Sequence, residues 1–190
     1  MASLANEASE EVSDIMHLKM RSRSTMVPHF LVADSPESRG LYNDKAMPGG
    51  PRGDSGTDLR FAEDILISPM SLVQGMPCIV DLKVRVRCIA NGEFAPFQIL
   101  PRSSISKTPL GFANNVGVID RGYQGSLKVA LRNYSNEDWL CRRGDALFQL
   151  VRPDLAPALV TVVGEDHPAF VEATARGAGG FGSTGDAGSN

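Results

Sequence analysis

Cysteine, histidine and aromatic residues are scarce in this chain, and each shortage removes a class of chemistry. The three cysteines, Cys78, Cys88 and Cys141, form no CxxC pair and leave one over. That argues against a disulfide framework or zinc cage and for reduced thiols in an intracellular, cytoplasmic and/or nuclear protein. His17, His29 and His167 are scattered without HExxH spacing, so a His-built metal centre is not expected. Basic excess is missing too. A net charge of -3 and a pI near 5.6 give no field to draw the chain onto nucleic acid or an anionic membrane, and neither partner is expected. No apolar run approaches the roughly 20 residues that span a bilayer. Residues 1–25 run from acidic (Glu7, Glu10, Glu11, Asp14) to basic (Lys19, Arg21, Arg23), the reverse of a secretory leader. They read as a mobile tail with a short helix over 12–20.

A long amphipathic helix and an internal repeat are also lacking. Period-two alternation fills their place. Leu82, Val84, Val86 and Cys88 alternate with Lys83, Arg85 and Arg87, which predicts one half-buried strand over 78–89. Leu127, Val129 and Leu131 alternate with Lys128, Ala130 and Arg132 in the same way. Further strands are expected at 26–33, 59–67, 97–100, 116–120, 146–152 and 159–163, with a long Pro/Gly/Asp/Ser loop over 34–56. Short strands punctuated by Gly and Pro predict an all-β sandwich or barrel.

The residues that carry chemistry lie between those strands. Arg176-Gly-Ala-Gly-Gly-Phe-Gly-Ser-Thr-Gly185 combines close-approach glycines with a guanidinium, two hydroxyls and one ring. Arg176 can fork onto a phosphate, Ser183 and Thr184 can donate to one, and Phe181 offers a flat face. The Gly177–Gly182 match to G-x-G-x-x-G lacks the helical pattern and acidic residue that a dinucleotide fold requires. A base-plus-phosphate site and a plain Gly/Ser linker both stay open for this stretch. Pro101-Arg-Ser-Ser104 is a second phosphate-friendly turn. Asn114-Asn-Val-Gly-Val-Ile-Asp120-Arg-Gly-Tyr123-Gln-Gly125 reads as a strand, a tight connection and a return strand. Asp58 and Gln149, the latter opposite Phe148 and Leu150, complete the set. Two Arg-Gly-Asp triplets, at 52–54 and 143–145, read as coincidence rather than as adhesion signals.

Taken in this order, the motifs are similar to those of the trimeric dUTP pyrophosphatases (dUTPases) across residues 26–185. The middle motif, Gly117-Val-Ile-Asp120 with Tyr123-Gln-Gly125, and the last, Arg176 to Gly185, are the specific ones. Pro101-Arg-Ser-Ser followed by Lys107-Thr-Pro-Leu110 adds to them. The resemblance implies a jelly-roll-like β-barrel subunit of a homotrimer with an exchanged C-terminal arm: tail 1–25, barrel 26–170, arm 171–190. It implies hydrolysis of dUTP to dUMP and pyrophosphate by Mg²⁺-assisted water attack on the α-phosphorus. Such an activity limits uracil entry into DNA and supplies dUMP for dTMP synthesis. Asp120 would activate the water, and Tyr123 would pack under the deoxyribose. Asn114, the backbone of Gly117, Val118 and Ile119, and Lys128 would read uracil, with Phe181 stacked on it. Arg102, Ser103, Ser104, Gln149, Arg176, Gly180, Gly182, Ser183 and Thr184 would hold phosphates, and Asp58 would meet Mg²⁺ through water. Gly122 stands where many members of that family carry Asp or Ser, Ser126 stands where Glu is common, and Arg121 is unusual in that turn. The neighbouring reading is dCTP deaminase, which needs a Glu on the return strand where this chain has Ala130. A nucleotide-gated interaction protein on the same fold is the reading from another class.

Overall fold

The computed structural model describes residues 29–42, 54–171 and 174–180. The expectations for the N-terminal tail, for residues 43–53 of the 34–56 loop, for the first Arg-Gly-Asp triplet's Arg52 and Gly53, and for Phe181, Gly182, Ser183 and Thr184 lie outside those residues. Among the described residues there are thirteen strands, one short 3-10 helix (Ser103–Lys107) and one helical turn, α1 (Pro168–Val171). The all-β expectation holds. Among the described residues no helix is long and apolar enough to cross a membrane.

Among the described residues four sheets surround a main core, and a smaller cluster of Leu31, Ala33, Ile89, Ala169 and Phe170 packs separately. The first sheet has the order β13 (Leu159–Gly164), β1 (His29–Asp34), β5 (Val84–Ala90), β6 (Glu93–Ala95), with β1 and β13 parallel. The second is β2 (Gly56–Leu59), β12 (Phe148–Val151), β7 (Phe97–Pro101), β9 (Gly117–Ile119). The third is β4 (Cys78–Asp81), β10 (Lys128–Asn133), β8 (Leu110–Phe112), and the fourth pairs β11 (Trp139–Cys141) with β3 (Ile65–Ile67). Phe30, Phe61, Phe97 and Phe148 are buried in the core, each contributing about 1.5–3 kcal/mol by leaving water. Phe148 meets Phe112 at 4.9 Å and Phe61 at 6.5 Å between ring centroids. Because strand side chains alternate, anchoring Phe148 and Leu150 inward aims Gln149 outward, as its sequence pattern predicts.

Two expected strands are each broken in two. The run expected over 59–67 splits into β2 and β3 around bends at Ala62 and Glu63. The run over 78–89 splits into β4 and β5, because Lys83 adopts φ +54 and its N–H is bonded by the Asp81 carboxylate at 2.8 Å. Nor is β5 half-buried as expected: Arg87 is buried with its guanidinium over the Phe94 ring at 4.6 Å. The short strands β6, β8 and β11 and the turn α1 carry too few residues to show a period.

Candidate active site

The expected hairpin around Asp120 is not a paired hairpin. β9 bonds to β7, whereas the return strand β10 bonds to β8 and β4. The two arms enter different sheets and splay, and the space between them is a cleft of about 200 Å³. Gly117, Val118, Ile119 and Asp120 line it together with Asn114, Tyr123 and Lys128. Every residue that the sequence nominated for base and sugar, apart from Phe181, meets here. The tight connection itself is present, with the Tyr123 N–H donating to Asp120 O at 3.1 Å.

Tyr123 is fixed from two directions. Its hydroxyl donates to the carbonyl of Ser126 at 3.0 Å, and its ring lies over Gly125, where a Cβ would overlap the phenol oxygen. Burial, then the nearby Asp81 charge, raise the phenol's pKa, with Arg176 opposing, so it stays protonated at neutral pH. The arm closes the cleft from outside. Arg176 Nε donates to Asp120 Oδ2 at 2.9 Å, the Gln124 N–H donates to Gly177 O at 2.9 Å, and Thr174 Oγ1 donates to Gly122 O at 2.5 Å. Gly179 and Gly180 complete the lining. In this single chain residues 174–180 therefore rest on their own turn. With the Asp120 side chain 56% exposed, such an ion pair is worth little in water and yields readily to a stronger anion for the guanidinium.

A second, wider cleft of about 560 Å³ holds the phosphate candidates. β12 and β2 place Gln149 and Asp58 directly opposite each other on the outward face of their sheet. Arg102 Nε bonds Asp58 Oδ1 at 2.8 Å, and Ser103 lies beside them. Ser104 faces away, giving its hydroxyl to Ala146 O at 2.8 Å, and lines neither cleft. The two clefts share no lining residue. The second Arg-Gly-Asp triplet is a turn clamped to the chain leaving β2, with Phe61 N–H bonded to Asp145 O at 3.0 Å and Gly144 N–H to Phe61 O at 2.9 Å. Cysteine plays no part in either cleft. Burial pushes Cys88 up to about 11 and Cys141 up to about 12, which keeps both thiols protonated.

The profile of the dUTPase family matches residues 43–185. The deoxyuridine 5'-triphosphate nucleotidohydrolase of Paramecium bursaria Chlorella virus 1 is 35% identical over 136 residues, 72% of this chain and 86% of that relative. The Saccharomyces cerevisiae enzyme of the same name is 36% identical over 132 residues, 70% of this chain and 81% of that one. The chain belongs to the dUTPase family. Among solved structures, the native dUTPase of EIAV superposes with a TM-score of 0.45 at 20% identity, covering 64% of this chain and 85% of that one.

In the two clefts of this dUTPase-family chain, sequence reasoning missed several residues. Asp54, Ser55 and Gly56 line the wider cleft beside Asp58, and a Cβ on Gly56 would overlap the Gln149 amide. Their signal was proximity to Asp58 in a Gly-Asp-Ser-Gly run. Gly179 joins the narrower cleft from within the glycine-rich motif itself.

Proposed function

We propose that the narrower cleft binds the deoxyuridine part of dUTP and that the chain hydrolyses dUTP to dUMP and pyrophosphate. The observation that carries this is the convergence of Asp120, Tyr123, Asn114 and Lys128 on one cleft capped by Arg176. Asp120 is an exposed carboxylate at the mouth and takes the proton of the attacking water. The cleft-lining backbone of β9 and the Asn114 amide present donors and acceptors to the uracil edge, and such readout rejects a mismatched base because it leaves buried groups unpaired. Tyr123, locked by Ser126 and Gly125, stands against the sugar. Arg102, Ser103, Gln149 and the arm's Arg176, Gly180, Gly182, Ser183 and Thr184 hold the phosphates, with Phe181 stacked on the base. Ser104 braces the Arg102 turn through Ala146.

Among the described residues no cluster of three or more His, Cys, Asp or Glu side chains could hold a metal by itself. The oxygen donors Asp58 and Asp54 in the wider cleft instead suit a Mg²⁺ ion carried mainly by triphosphate oxygens, with Asp58 reaching it through water. When bound, the ion neutralises charge on the leaving pyrophosphate.

The working unit in this proposal is a homotrimer in an intracellular compartment. The separation of the two clefts into sets without a shared residue supports a site assembled between copies. An arm that docks on its own turn docks equally well on the identical turn of a neighbour, which makes exchange nearly neutral in energy. The deaminase reading finds no support, since Ala130 on β10 is buried and carries no carboxylate.

Hydrolysis in ¹⁸O-labelled water tests the proposal. Attack at the α-phosphorus puts the label in dUMP. Label in pyrophosphate, or ammonia released from dCTP, overturns it.

A further inference from the structure

The geometry points to Ser126 and Asp81 as a positioning pair, outside the cleft, that sets where the Tyr123 ring stands and so how strictly the site separates deoxyribose from ribose. This rests on the proposed role of Tyr123 against the sugar. The Tyr123 hydroxyl is anchored on the Ser126 carbonyl at 3.0 Å. The hydroxyl of the same residue donates to Asp81 Oδ1. That oxygen also accepts the Lys83 N–H at 2.8 Å, at the left-handed break between β4 and β5.

Backbone bonds fasten the same corner. The Leu82 N–H donates to Leu127 O at 2.9 Å, and the Leu127 N–H donates to Val84 O at 2.8 Å. Asp81 is also the cross-strand partner of Lys128, which lines the cleft. The position of the phenol is thus referred, through one main-chain carbonyl, to a carboxylate on a different strand. A charged acceptor makes a stronger tether than a neutral one. Without it, the 125–127 segment keeps its backbone bonds but Ser126 O is free to tilt, and the ring moves with it.

The test is the ratio of kcat/KM for dUTP to that for UTP. Ser126→Ala and Asp81→Ala are each expected to lower this ratio roughly tenfold, equivalent to about 1.4 kcal/mol. Ser126→Thr, which keeps the hydroxyl, restores it, and Asp81→Asn, which keeps an acceptor oxygen but loses the charge, falls between the parent and Asp81→Ala. The double variant falls no further than either single one, as expected of groups acting as a unit. An unchanged ratio in a folded Ser126→Ala protein overturns the inference, as does an equal loss for both nucleotides. Should Ser126→Ala not fold, Asp81→Ala decides by the same readout. Tyr123→Ala separates the two levels. If it lowers the ratio and the pair variants do not, the pair has no role; if it does not lower the ratio, the sugar role of Tyr123 itself is wrong.

Discussion

In the proposed reaction Asp120 bears the chemical step, and its surroundings in the structure are simple. It is an exposed carboxylate whose partner is a guanidinium from the arm at 2.9 Å. Replacing it by Asn keeps the shape and an acceptor oxygen but removes the base. Asp120→Asn is therefore expected to bind dUTP within a few-fold of the parent while turnover falls by about 10²–10⁴, measured by calorimetry and pyrophosphate release. His29 gives a prediction of a different kind. Burial holds its pKa below the ordinary imidazole value, and Nε2 sits 2.6 Å from Thr161 Oγ1 across the β1–β13 pair. In the unfolded chain the imidazole takes a proton near pH 6.5, before the folded chain does, so its contribution is full above that pH and lost as pH falls further. The melting-temperature gap between the parent and His29→Gln should narrow between pH 7.5 and 5.5. Asp120, Tyr123 and Asn114 were legible in the sequence because they sit within one short motif. Asp81 was not, because its bond to Ser126 closes across 45 positions.

Elements were legible where a period runs long enough, and opaque where one residue breaks it. The alternation from Leu82 to Cys88 continues undisturbed through Lys83, so the pattern cannot report that Lys83 turns left-handed and divides β4 from β5. The pairing of β9 with β7 was hidden for a similar reason, since a turn between two strands suggests that they bond to each other. Their splaying is what opens the cleft. The arm follows this logic at its own scale. Deleting the chain from Arg176 onward removes the cap and the Arg176 contact but leaves the core and sheets intact. Turnover should fall by about two orders of magnitude or more through loss of closure, with the oligomer unchanged on sizing. Undiminished turnover would show that the arm is only a tail.

At the scale of the molecule, the described residues form an all-β body with two clefts that share no lining residue, one proposed to take a nucleoside and the other phosphates and metal. Composition argued against membrane spans and metal cages but said nothing of this division, which depends on how the four described sheets close around the main core. Association into a trimer is the arrangement that would join the two clefts, and sizing of the purified protein should return three times the chain mass of 20.4 kDa. The most direct measurement is pyrophosphate release in Mg²⁺ from dUTP, dCTP, dTTP and UTP at equal concentration. Rapid turnover of dUTP, with the other three slower by orders of magnitude, is the predicted result. No turnover of dUTP, or comparable turnover of all four, would contradict the account.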